Sequence, residues 1–472
     1  MRAEALDLRP TGTRAAMVAG IGAIALVVGL GSVIRPSLAL GAVLGAAFLA
    51  ISFRDLPSGV AIFTVMSFFQ SVPGAAAVGL SGVKAAGAVV FLAWLFELAT
   101  RRAGVPLLAR EAPAFTYVLA AFIVWALVSQ SWAADGHIAL TNALRLAQGP
   151  LLIFVVFSAI RTRAHVRMMS WAFVIGALLT AVVGLSGATQ SDQSAQAGVD
   201  SSRLAGGIGD PNALAAFLVP ALAIAAFMLP TTRNPLRRWV LVTVIVIFAF
   251  ALFQTASRGG IVAFGAVAIV LPFLAGPYRA RATAFALAVF GAGVAYFALL
   301  APPAAVAHVT NFSTGGGTGR TDLWSIAVQM FRNHPIGGVG VGNFQFVEPR
   351  YALGNLNLTA VSLVIDTPKV AHNTYLHILA ELGIVGLALF VAALVIALGA
   401  AWRASKVFHR ASDPDMEALS RGFLVGTVGL LSAYVFFSAQ YEKQLWLVLG
   451  VLLALRTVAR RETVTSVGDE SE

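Results

Sequence analysis

A chain of 472 residues that is 58% hydrophobic and only 11% charged cannot clothe a soluble surface, and its mean hydropathy of +0.85 fits an exterior that meets lipid. The net charge of +11 does not point to nucleic acid, because the cations sit in short breaks between apolar stretches rather than in a basic run beside exposed aromatics. With no cysteine, disulfides and thiolate metal sites are excluded.

The N-terminal residues MRAEALDLRPTGTR carry two acids, and no small-residue cleavage site follows the first apolar run, so that run reads as a retained helix. Crossing ~30 Å of hydrocarbon takes roughly 20 helical residues. Fourteen stretches are candidates: 14–33, 37–52, 58–72, 84–99, 114–131, 142–160, 169–187, 211–229, 239–256, 260–275, 283–301, 374–401, 421–438 and 444–459. Three of them, 37–52, 58–72 and 260–275, are short or broken by Pro or Gly, so 12 to 14 spans are expected. The fold class is all-α, a polytopic transmembrane helical bundle with a large extracytoplasmic loop containing amphipathic helices.

Alternate breaks are rich in arginine and lysine, and eight of them hold 22 of the 32 cations. The positive-inside bias then places both termini in the cytoplasm and supports an even number of spans. Two outer segments are long. Residues 188–210 are polar and Gly/Ser-rich, and residues 303–371 form a 69-residue loop, a length uncommon in loops without function. The chain divides accordingly into an N-terminal bundle (1–302), the loop (303–371) and a C-terminal three-span bundle (372–472). Within the loop, Thr321 can cap a helix running to Pro335. Asp322, Ser325, Gln329 and Arg332 would lie on one stripe, with Leu323, Trp324, Ala327, Val328 and Phe331 on the other. The PIGGVGVGNF stretch that follows lacks phosphate-loop spacing and receives no nucleotide role.

Cations on the outer face are few. Arg258, in QTASRGG, is either an interfacial anchor or a ligand-binding group, and the two glycines after it favour close approach of a ligand. Arg320 immediately precedes the loop helix, whose free N–H groups attract an anion; a solvated arginine is the alternative. Arg203 reads by itself as solvated. His372, with Asn373 placed to cap the next helix, stands where the loop re-enters the membrane. It is a structural interfacial histidine or a general base for a hydroxyl nucleophile. His377 and Glu381 point elsewhere on an ideal helix, so neither a shared metal nor a His372–Glu381 dyad is expected. Gly383 and Gly386 read as close-packing positions between helices. No metal motif is present and no cofactor is implied.

Several of these motifs resemble the O-antigen ligase and polymerase superfamily of bacterial envelope glycosyltransferases. His372, Asn373, nine residues, Gly383, two residues and Gly386 follow its H-[NSQ]-x9-G-x-x-G pattern. SRGGIV around Arg258 and GRTDLW around Arg320 resemble its two arginine motifs, and RLAGGIGDPNALAAFLVPAL, with Arg203 and Asn212, resembles a further recurrent segment. The resemblance covers residues 200–390. It implies a glycosyltransferase that takes a saccharide from undecaprenyl diphosphate on the periplasmic face and passes it, with inversion and without metal, to a lipid or glycan acceptor. Arg258, Arg320 and Arg203 would bind the diphosphate and His372 would act on the acceptor hydroxyl, with Asn212, Asn373 and Asp322 in support. A polymerase using the same donor is the alternative to a ligase. A transporter or flippase would need internal repeats, and none is evident.

Overall fold

In the computed structural model, residues 36–69, 82–100, 105–187, 203–310, 320–353 and 369–469 are described. Among them there is no strand, and the helices form a polytopic bundle. In chain order they are α1 (Pro36–Arg54), α2 (Leu56–Met66), α3 (Gly82–Thr100), α4 (Pro113–Val128), α5 (Gly136–Ala159), α6 (Arg163–Leu185), α7 (Pro211–Met228), α8 (Pro235–Gln254), α9 (Arg258–Leu274) and α10 (Arg279–Leu299). Three loop helices follow, α11 (Pro303–Thr310), α12 (Arg320–Asn333) and α13 (Phe344–Leu353). The long α14 (Thr374–Arg410), α15 (Pro414–Ala433) and α16 (Lys443–Asp469) complete the chain.

Thirteen of the fourteen apolar stretches coincide with helices; the first, 14–33, lies outside the described residues. Among the described residues, eight helices are long and apolar enough to cross a bilayer. The short stretches behave as their breaks suggest: α2 has 11 residues, about 16 Å at ~1.5 Å per residue, less than a hydrocarbon thickness. Helix starts are fixed by side-chain caps, with Asp55, Asp135, Thr162, Asp210, Asn234, Ser257, Asn373 and Asp413 each accepting a backbone N–H.

One continuous apolar cluster runs from Phe48 to Ala459, centred on α7, α15 and α16. Its close packing depends on absent side chains. A Cβ on Gly149 would run into the indole of Trp446, and one on Gly426 would come within 2.9 Å of the Pro220 backbone. The loop helices carry a second, smaller cluster of Leu323, Ile326, Ala327, Met330 and Phe344.

Five of the ion pairs among the described residues gather at one end of the bundle. Arg161 meets Glu97 at 2.8 Å, Arg163 meets Asp413 at 3.1 Å, Arg167 meets Asp415 at 2.9 Å, and Glu417 is shared by His409 and Arg421. The helix termini at the opposite end, near residues 129–135, 254–258 and 369–374, meet the loop segment.

Candidate functional site

Two strands of contacts converge at the loop end. The first comes from the segment leading into α7 and the turn between α8 and α9. Asp210 caps α7 by accepting from Asn212 N (2.6 Å) and Ala213 N (3.0 Å). Arg203 folds over this turn: Nε donates to the Thr255 carbonyl at 2.9 Å and Nη2 to Asn212 Oδ1 at 3.3 Å. The same Asn212 oxygen accepts from Ser257 Oγ at 2.9 Å, and Leu204 N donates to Gln254 O at 3.1 Å. Ser257 caps α9, so Arg258 is the first residue of that helix. Its Nε donates to the His308 carbonyl at 2.7 Å. Arg203 is therefore a half-buried, doubly bonded arginine and not the solvated one its sequence context suggests. Arg258 is tied to the loop helix α11 instead of reaching only for headgroups.

The second strand joins α12 to the start of α14. Trp324 Nε1 donates to the Ala371 carbonyl at 3.0 Å, and its ring lies 6.0 Å from that of Phe436. Phe436 in turn packs where a side chain on Gly259 would sit, its Cβ only 2.9 Å from that position. Arg258, Trp324 and His372 are thus neighbours through one chain of contacts. Asn373 caps α14 as its sequence position predicts, accepting from Tyr375 N and Leu376 N at 3.0 Å each. Thr374 locks the same turn to the α15–α16 connection, donating to Phe437 O at 2.6 Å and accepting from Ala439 N at 2.9 Å.

The loop helix begins at Arg320 rather than being capped by Thr321, which lies inside α12 and is exposed. That shift puts Arg320 in the first turn. The face that packs is Leu323, Ile326, Ala327 and Met330, and Asp322 is buried beside it, whereas an outward stripe was expected for that residue. Arg320 Nε is buried and makes no hydrogen bond among the described residues.

The charges act on one another. Burial, countered by Asp210 and reinforced by Arg320 and Arg258, lowers Arg203 to about 10. Arg320 is lowered by burial and by Arg258, with Asp210 opposing. Burial first, then Arg320, pushes the His372 imidazole down to about 4, and Asp210 offsets part of this. Arg203, Arg258, Arg320 and His372 thus share one electrostatic environment in which Asp210 is the nearby carboxylate, and at neutral pH the imidazole is uncharged. His372 also adopts φ +48°, and Ala256, two residues before Arg258, adopts φ +43°. Left-handed backbone at non-glycine residues is strained and concentrates at functional sites.

Residues 335–340 form a strap on α14. Val339 N donates to Ala380 O, Gly340 N to Glu381 O and Ile384 N to Pro335 O, each at 2.9 Å. Gly383, at φ +65°, breaks the helix to receive the strap, so it is a hinge against loop backbone and not a helix-packing position. Glu381 Oε1 accepts from Phe344 N at 3.1 Å and lies 3.1 Å from His377 Nε2. Among the described residues no group of three or more His, Cys, Asp or Glu could hold a metal.

Residues 243–391, from within α8 to the middle of α14, match the family model described as O-antigen ligase. Over that stretch the chain is similar to the O-antigen ligase family. No curated protein matches the chain. The matched stretch contains Arg258, Arg320, Asp322, His372 and Asn373, while Arg203 and Asn212 lie ahead of it. The chain thus combines a polytopic helical bundle with a stretch similar to the O-antigen ligase family. Sequence reasoning missed Asp210, Ser257 and the Trp324–Phe436 contact. Only Asp210, followed by Pro211, left a local sign, the signature of a capped helix start.

Proposed function

We propose that the protein is a glycosyltransferase that moves a saccharide from undecaprenyl diphosphate to a hydroxyl of a lipid or glycan acceptor, without metal and with inversion. The reading rests chiefly on three guanidiniums that act on one another, of which Arg320 also acts on the neutral His372 imidazole and has a buried Nε with no hydrogen-bond partner among the described residues. A diphosphate supplies the missing anion and planar acceptors for guanidinium forks. A ring nitrogen of His372 takes the proton of the acceptor hydroxyl as its oxygen attacks the anomeric carbon. The bond from that carbon to the diphosphate oxygen breaks, and its electron pair leaves on the lipid diphosphate, steadied by Arg203, Arg258 and Arg320. A histidine depressed by burial, and then by Arg320, is a weak base. Donor phosphate neutralises that arginine, so the ring gains basicity when the donor is in place.

Asn212 and Asn373 support the site by holding Arg203 and the start of α14, and Asp322 by packing the first turn of α12. The ion-paired end, with both termini, would face the cytoplasm of an inner membrane and the arginine end the periplasm, in line with the positive-inside bias. The loop 303–371 would then cover the site between an N-terminal bundle and a C-terminal three-span bundle. A ligase is favoured over a polymerase by the complete His–Gly pattern from His372 to Gly386. The test supplies purified protein, in chelator, with undecaprenyl-diphosphate glycan and a lipid A–core acceptor. Glycan-bearing acceptor is the expected product. Lengthened lipid-linked chains would instead identify a polymerase, and no glycosidic product with either acceptor would overturn the reading.

A further inference from the structure

At the end of the bundle opposite the arginines, a half-open cavity of about 460 Å³ lies between α7, α9 and α10, within the roughly 300–1,000 Å³ of small-molecule sites. Its walls are apolar, formed among others by Leu222, Phe264, Val267 and Phe285, and its rim carries Arg238 and Arg281. The location separates it from the site described above. From Leu271, which lines the cavity, α9 runs 13 residues back to Arg258, on the order of 20 Å at ~1.5 Å per residue.

The neighbouring cation Arg421 is already engaged: Nε donates to Glu417 at 2.8 Å and Nη1 to the Leu274 carbonyl at 2.6 Å. Tyr278, also on the wall, gives its hydroxyl to Pro414 O at 2.9 Å. Arg238 and Arg281, by contrast, are exposed and form no ion pair among the described residues. Trp239, Leu236 and Phe273 are exposed at the same level, as expected where the helices pass from hydrocarbon into headgroups. An apolar slot at that depth, topped by two guanidiniums at headgroup height, complements an amphiphile with one negative charge at its head.

We propose that this cavity binds an anionic phospholipid, one acyl chain filling the slot and the phosphate diester lying between Arg238 and Arg281. The lipid wedges between α7 and α9, whose other ends carry Asn212 and Arg258, so its occupancy braces the helices that hold the site.

The test uses native mass spectrometry of the full-length protein, delipidated and titrated with dioleoyl phosphatidylglycerol or dioleoyl phosphatidylcholine, with inorganic phosphate as competitor. One phosphatidylglycerol should be retained on the order of tenfold more tightly than phosphatidylcholine. In Arg238→Gln/Arg281→Gln that preference should vanish while thermal unfolding is unchanged. Ala226→Phe, which fills the slot and leaves the arginines, should also release the lipid. Equal retention of the two lipids by the unaltered protein, unchanged phosphatidylglycerol binding in the double variant, or displacement by inorganic phosphate alone would overturn the proposal.

Discussion

His372 holds a left-handed backbone, φ +48°, that few side chains tolerate, so an alanine there would change conformation as well as chemistry. Asparagine is among the residues that accept this region and cannot serve as a base, which makes His372→Asn the cleaner substitution. It should leave the protein folded and lower transfer by roughly 10²–10⁴-fold, the range for loss of a general base. The pH dependence carries a sign. An imidazole lowered to about 4 is deprotonated, and so competent, through the neutral range, and it loses competence only as pH falls through that value. The acid limb of kcat/KM, which reports free enzyme, should therefore lie near pH 4 rather than near the ~6.5 of free histidine. The limb of kcat should lie higher, because bound diphosphate removes the influence of Arg320. Coincident limbs near the ordinary histidine value would separate His372 from proton transfer. Arg258, Arg320 and His372 drew notice in the sequence because cations are few in the breaks that hold them. Arg203 was read as solvated, since its partners, Thr255 and Asn212, come from elsewhere in the chain and no local pattern announces them.

At the scale of elements, apolar length and composition marked thirteen of the helices closely, whereas the loop's internal organisation was only partly visible. The amphipathic helix was expected, but not that Arg320 would begin it. The glycines of PIGGVGVGNF yielded no role from spacing because their use is tertiary: they let the 335–340 strap lie against α14 at the Gly383 break. Any Cβ at Gly383 meets the Ile336 carbonyl, and φ +65° is unfavourable for a side chain. Gly383→Ala should cost about 1–3 kcal/mol of stability from strain, with further loss from displaced strap bonds. Thermal unfolding in detergent measures the cost, and hydrogen exchange should rise first across residues 335–344. An unchanged unfolding temperature would mean that the strap does not depend on this break.

Across the whole molecule, polar structure is concentrated at the two ends and the apolar cluster fills the space between. Composition and charge spacing made this legible, because lipid exposure constrains sequence more tightly than water does. They could not reveal which charges pair, and the His409–Glu417–Arg421 group joins residues of α14 and α15 that no local pattern links. Arg421→Met would leave Glu417 buried without its guanidinium, a loss typically worth roughly 3–5 kcal/mol. It should lower the unfolding temperature without lowering donor affinity, since it lies at the end away from Arg258.

The account stands or falls on whether the three arginines and His372 form a single donor site with divided roles. Affinity for undecaprenyl diphosphate, measured by calorimetry in detergent beside transfer rate, tests this most directly. Arg203→Lys, Arg258→Lys and Arg320→Lys should each weaken binding on the order of tenfold or more by losing a planar fork, while His372→Asn should bind like the unaltered protein and transfer roughly 10²–10⁴-fold more slowly. Arginine variants that bind the diphosphate normally, or a His372→Asn protein that transfers glycan at the unaltered rate, would contradict it.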